Sequence, residues 1–160
     1  MGRLVVGLGE MKVSNDLADE LVTHSLGSCL GVALHDPMAR VGGLLHLMLP
    51  DSRLNPERAR TTPCMFADTG LPRLFRAAYA LGAQKRHLKV VLVGAARIIS
   101  GTGHYNIGKQ NYTAVRRLLW RNNILVTAEE VGGTASRTMY LSMDSGQVTV
   151  RINSEFIKRL

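Results

Sequence analysis

Asp36-Pro37-Met38-Ala39 is a turn signal set between two apolar, strand-like stretches, residues 30–35 and 41–49, and Asp-Pro both opens a turn and ends the strand before it. The chain is therefore expected to fold back on itself here as an antiparallel hairpin. With Pro37-Met38 at the tip, Cys29 falls opposite His46, and directly opposed residues share a face with Cβ atoms roughly 4.5 to 5.5 Å apart. A slip of one residue would send His46 to the other face. In this register Cys29, Gly31, Ala33 and His35 share one face with Arg40, Gly42, Leu44 and His46, while Leu30, Val32 and Leu34 share the other with Val41, Gly43 and Leu45. The first face is small or polar apart from Leu44, and the second is expected to be the core. Gly42 and Gly43 are poor strand formers of the kind found where another backbone comes close, so a substrate segment is expected along the hairpin.

A thiol facing an imidazole is the pairing of a cysteine nucleophile with its base. Most free cysteines are small buried hydrophobes, and many strand histidines are structural. The approach to Cys29 favours the chemical reading. Ser25-Leu26-Gly27-Ser28-Cys29-Leu30-Gly31 places glycine two before and two after the thiol. Such framing permits a tight or left-handed bend that turns backbone N–H groups inward. Gly27 and Ser28 are the expected backbone support for a developing oxyanion, and those N–H groups together with an imidazolium at position 46 are expected to lower the thiol pKa.

One domain is the natural reading of 160 residues with 46% hydrophobic content and no linker-like shift in composition. No apolar run approaches the roughly 20 residues of a membrane span, and the opening Met-Gly-Arg-Leu-Val-Val-Gly has neither a signal peptide's apolar core nor a myristoylation pattern. A cytoplasmic protein without direct membrane insertion is expected. The two cysteines, Cys29 and Cys64, make no disulfide framework and are expected to be free. Twenty Lys and Arg against twelve Asp and Glu give a net charge of +8, with basic clusters at 53–60, 85–89, 116–121 and 151–159. An acidic partner follows. Few aromatics and no recognised motif argue against nucleic acid.

Strands are expected at residues 3–8 and 20–24, then in the hairpin, then at 88–93, 124–129, 137–141 and 147–152, the last pair joined by a turn at Asp144-Ser145-Gly146. Residues 50–63 read as a long loop. Helical spacing runs over 71–81, with Pro72 in the first turn and Gly82 past the end, and over about 108–121. Two long helices are too few to cover a doubly wound sheet, so an α+β sandwich with mixed sheets is expected. Gly7-Leu8-Gly9 and Gly101-Thr102-Gly103 lack the rest of a dinucleotide fingerprint. His24, His35, His87 and His104 are scattered and there is no Cys-x-x-Cys, so no metal is assigned.

The chain resembles the CheD family, the chemoreceptor glutamine deamidases of bacterial and archaeal chemotaxis. Thr23-His24-Ser25-Leu26-Gly27-Ser28-Cys29 is similar to the family's Thr-x-x-Leu-Gly-Ser-Cys motif, and Asp36-Pro37 followed by residues 42–52 is similar to its histidine motif. Further matches are Phe66-Ala67-Asp68-Thr69, Ile107-Gly108-Lys109-Gln110-Asn111, and Gly132-Gly133 with Arg137. The resemblance implies a sandwich like that of toxin deamidases, with Cys29 as nucleophile, His46 as base and acid, and Thr23 orienting the imidazole. It implies hydrolysis of receptor glutamine amides, with glutamyl methyl esters as a second substrate and no cofactor. Implied partners are the cytoplasmic helices of methyl-accepting chemoreceptors and a CheC-like phosphatase. His24 neighbours Thr23 and is expected to face the other way. Where many members read Gly-Gly-Ala and then Met-Phe, this chain has Gly94-Ala95-Ala96-Arg97-Ile98-Ile99, a departure that bears on substrate preference. A regulatory adaptor without catalysis, and a small cysteine amidase acting on other substrates, stay open as alternatives.

Overall fold

The computed structural model describes residues 2–97 and 106–160. Among these, ten strands form two five-stranded sheets. The strands are β1 (Gly2–Val5), β2 (Met11–Ser14), β3 (Asp19–Leu26), β4 (Leu30–Asp36), β5 (Val41–Leu47), β6 (Lys89–Gly94), β7 (Ala128–Val131), β8 (Arg137–Ser142), β9 (Val148–Ile152) and β10 (Phe156–Arg159), and the helices are α1 (Pro56–Thr61), α2 (Ala67–Ala80) and α3 (Ile107–Arg121). One sheet runs β1-β3-β8-β9-β10 and the other β2-β5-β4-β6-β7. Each mixes parallel and antiparallel pairs, as the α+β sandwich requires.

The hairpin forms, with its two faces divided as the alternation predicts, but in a different register. Gly31, not Cys29, lies opposite His46. Asp36 pairs with Val41, so the turn consumes four residues rather than two. The cause is the Asp36 side chain, which accepts the N–H groups of Met38 at 2.8 Å and Ala39 at 3.0 Å and holds a wider turn than a two-residue tip. The shift is two residues, so side-chain parity survives and Cys29 stays on the face of His46.

Both faces are buried, which overturns the expectation of a face open to substrate. Leu30, Val32, Leu34, Leu45 and Leu47 pack under Leu71, Leu74 and Phe75 of α2 and Val115 and Leu119 of α3. On the other side Ala33 and Leu44 meet Leu21, Leu26, Met139 and Leu141 of the second sheet. The hairpin glycines make room for this packing. A Cβ on Gly31 would sit 2.9 Å from the Met139 sulfur, one on Gly42 would collide with the Met143 sulfur, and one on Gly43 would sit 2.9 Å from Leu74. The result is three layers, sheet on sheet on helices.

Several elements differ from the sequence reading. The helix expected at 71–81 starts at Ala67, which leaves Pro72 inside it. Tertiary contacts hold the turn before the proline: the Asp68 carboxylate accepts from Ser52 N–H at 2.9 Å and Ser52 Oγ at 2.6 Å, and Ala67 N–H donates to the Leu49 carbonyl at 2.9 Å. Residues 50–63 are not a structureless loop but carry a 3₁₀ turn at Ser52–Leu54 and α1, capped by the Asn55 side chain with Pro56 at its first position. That Asn-Pro pair was the available signal. The strand read at 124–129 begins only at Ala128, because Asn123 turns left-handed and Ile124 N–H returns to the Leu119 carbonyl to finish α3. The short strands β2 and β10 were not anticipated. Gly101-Thr102-Gly103, His104 and the Ile98-Ile99 departure lie outside the described residues.

Candidate active site

β3 carries a bulge between Thr23 and Leu26, where its pairing with β8 shifts register. Without it, residues 23 and 26 could not both point inward; with it, both are fully buried while His24 and Ser25 face solvent. His24 is thereby removed as a competitor of His46. The left-handed residue of this corner is Ser25, at φ 59°, rather than Gly27.

Inside the corner, Thr23 Oγ1 lies 2.7 Å from the Val6 carbonyl oxygen and 2.7 Å from His46 Nδ1. A carbonyl only accepts, so the single hydroxyl proton is committed to Val6 and Thr23 must accept from the ring. Nδ1 is therefore the protonated nitrogen, and Nε2 carries the lone pair. Nε2 is buried and has no hydrogen-bond partner among the described residues. The backbone of His46 is held at both ends: its carbonyl accepts Gly9 N–H at 2.9 Å, and its N–H donates to the Glu10 carbonyl at 3.0 Å.

Cys29 lies one residue ahead of β4, half-buried against the inter-sheet cluster on the His46 side. Its carbonyl accepts Ala95 N–H at 2.8 Å, and the Gly27 carbonyl accepts Ala96 N–H at 2.8 Å. Gly27 N–H is engaged with the Ser25 carbonyl at 3.1 Å, so Gly27 braces the loop and is not an oxyanion donor in this conformation. Among the described residues the N–H groups of Ser28 and Cys29 have no backbone acceptor, and they remain the candidate donors.

Burial pushes the Cys29 thiol above its ordinary range, only partly offset by its own backbone N–H, and burial pushes His46 down to about 4. The expectation of a lowered thiol pKa beside an imidazolium therefore fails. Both directions favour the uncharged thiol and the uncharged imidazole, because burial disfavours either charge. Cys64 is likewise raised by burial and packs beside Gly70, away from this cluster.

Two residues that sequence reasoning left without a role hold the site together. Asn111 is fully buried, and its Nδ2 donates to the Ser28 carbonyl at 3.0 Å and the Met48 carbonyl at 2.9 Å. It thus ties the peptide before Cys29 to the strand end beyond His46. The available signal was a polar residue on an otherwise small or apolar helix face, Gly108, Asn111, Val115 and Leu119. Arg137, also buried, donates to the carbonyls of Gly94 at 3.2 Å and Gly132 at 2.8 Å and so anchors the end of β6 beside the cysteine loop. Among the described residues no group of three or more His, Cys, Asp or Glu is arranged to hold a metal.

Fold and residue placement together give an α+β sandwich in which Thr23 contacts His46 and Cys29 shares the histidine's face, residue types suited to nucleophilic acyl chemistry. The chain belongs to the CheD family: residues 48–152 match its family model, described as CheD chemotactic sensory transduction. That match begins beyond His46, but full-length relatives span all three site residues. A Syntrophus aciditrophicus protein is 45% identical over 160 residues, all of both chains. One from Solibacter usitatus is 41% identical over 97% of this chain and 92% of its own, and one from Thermococcus kodakarensis 37% over 91% and 90%. Each is named a probable chemoreceptor glutamine deamidase CheD. A crystal structure of a Neisseria meningitidis protein of the DUF152 family aligns over 82% of this chain and 63% of that one, with a TM-score of 0.48 and 13% identity, too remote to bear on the site.

Proposed function

We propose that this chain hydrolyses the side-chain amide of glutamine residues in the cytoplasmic helices of chemoreceptors, releasing ammonia and leaving glutamate. The observation that carries the proposal is the 2.7 Å Thr23–His46 contact, which leaves a buried imidazole lone pair, without a partner among the described residues, on the face that also carries Cys29. His46 Nε2 takes the Cys29 proton as sulfur attacks the amide carbon, so proton transfer and attack are coupled and no resting thiolate is needed. The Ser28 and Cys29 N–H groups receive the oxyanion. The proton on Nε2 passes to the departing nitrogen, ammonia leaves, and a thioester remains. Water then gives a proton to Nε2 and its hydroxyl to the thioester carbon, glutamate departs, and the proton returns to sulfur. The Cys29 proton and one water account for every proton moved, and no cofactor enters these steps. A glutamyl methyl ester would follow the same steps, with methanol as the leaving group.

The setting is cytoplasmic, where receptor helices are accessible; no described helix is long and apolar enough to cross a membrane. A CheC-like phosphatase is proposed as a second partner, tested by whether a purified CheC homologue co-elutes with this protein. The decisive experiment incubates the protein with a glutamine-bearing receptor helical fragment and follows the mass change of amide-to-acid conversion. Conversion is expected with the unaltered chain and none with Cys29→Ala, while Cys64→Ala retains it. Conversion by a folded Cys29→Ala protein, or none by the unaltered chain, would sink the proposal.

A further inference from the structure

The net positive charge of this protein comes from one stretch. Residues 69–128 hold ten Lys and Arg and no Asp or Glu, while the rest of the chain holds ten basic and twelve acidic residues. This stretch builds most of the helix layer. None of its ten cations makes an ion pair with a described residue, in contrast to Arg3, Arg53, Arg60, Arg137 and Lys158 elsewhere. Unpaired charge of one sign on one side of a fold is not required by the fold and favours an anionic partner.

α3 concentrates it. Its inward face carries Asn111 to the site, while Lys109, Thr113, Arg116, Arg117 and Trp120 are exposed at helical spacing on its outer side. Trp120, the one tryptophan of the chain, is 80% exposed. A groove of about 440 Å³ runs beside this face, with Pro50, Leu54 and Ala114 as apolar lining and Lys109, Thr113 and Arg117 along the helix. Asp51 also lines it, but its carboxylate is held by Arg53 through contacts of 2.6 to 3.1 Å. At 1.5 Å per residue, Lys109 to Trp120 is about 16 Å, three helical turns. At one end the groove reaches Pro50, two residues beyond the Met48 carbonyl that Asn111 holds.

We infer that the outer face of α3, from Lys109 to Trp120, is the docking track for an acidic amphipathic helix of the receptor substrate, separate from the residues that perform the chemistry. The inference rests on the proposed function for the identity of the partner. An apolar strip between cations suits a helix with an apolar stripe flanked by carboxylates, whereas a nucleic acid backbone would leave the strip unused. The same helix, laid along α3, would bring its glutamines to the Pro50 end of the groove.

Trp120 supplies a readout that needs no catalysis. The Cys29→Ala protein is titrated with a purified glutamine-bearing receptor helical fragment while tryptophan emission is followed, using a fragment without tryptophan. A saturable blue shift is expected, with affinity falling at least tenfold between low and physiological salt and at least tenfold again in Lys109→Glu/Arg117→Glu. Arg151→Glu, on β9 of the other sheet, should leave affinity unchanged. Binding unaffected by the α3 reversals, or an emission shift with duplex DNA or phosphatidylglycerol vesicles and none with the fragment, would overturn the inference. Amide conversion is measured separately with the Cys29-bearing protein. Binding through α3 without conversion sinks the catalytic reading alone, and conversion indifferent to the reversals sinks the docking track alone.

Discussion

At the scale of single residues, the proposed mechanism turns on proton placement. Thr23→Val keeps the shape but removes the acceptor for His46 Nδ1–H, so the ring loses its fixed tautomer. Turnover of the receptor fragment is expected to fall on the order of 10- to 100-fold with KM little changed, and Thr23→Ser should restore most of it. Because burial raises the pKa of the half-buried Cys29 thiol, its alkylation by iodoacetamide should climb only above the ordinary thiol range near about 8.5. His46→Ala should leave that resting profile in place while abolishing turnover. A rapid, pH-independent alkylation near neutrality would show a resting thiolate and contradict the neutral pair. Asn111→Ala removes two hydrogen bonds and strands two carbonyls, costing about 2 to 4 kcal/mol by denaturant midpoint. Asn111→Asp should do no better, since it sets carboxylate oxygen against carbonyl oxygen.

Among the elements, the junction of β6 with the cysteine loop is the most constrained. Gly94 has φ 116°, and a Cβ there would strike the Cys29 carbonyl oxygen. Gly82, past the end of α2, has a similar φ of 107° but nothing within 4 Å of such a Cβ. The pair separates strain from collision. Gly82→Ala should cost about 1 kcal/mol of stability with activity intact. Gly94→Ala should cost more and also slow turnover, because the peptide that must move belongs to the nucleophile. Equal stability losses and equal activity in the two variants would show that the Cys29 loop accommodates the methyl freely.

For the whole molecule, burying His46 ties stability to pH. Its folded pKa of about 4 lies below the ordinary 6.5, so between those values the unfolded chain takes up a proton that the folded chain refuses. Stability present above pH 6.5 is therefore lost as the pH falls toward 4, by up to roughly 3 kcal/mol from this one group. Urea denaturation across that range should show the slope, and His46→Gln should flatten it. An unchanged slope in His46→Gln would assign the acid sensitivity to other groups.

Much of this was legible in sequence order because it depends on local alternation. A strand's side chains repeat every two residues, so the faces of the hairpin, and the placing of Cys29 with His46, survived a two-residue error in register. The Asp36 side chain decided that register by widening the turn, a contact pattern that Asp-Pro alone does not specify. Only the tertiary structure showed that the small-residue face lies against a second sheet, that a bulge turns Thr23 inward, and that Asn111 joins the cysteine loop to the histidine strand. Each of these depends on groups far apart in the chain. The dryness of the site has the same origin: residue types name a thiol and an imidazole, but their protonation is decided by the layers packed around them.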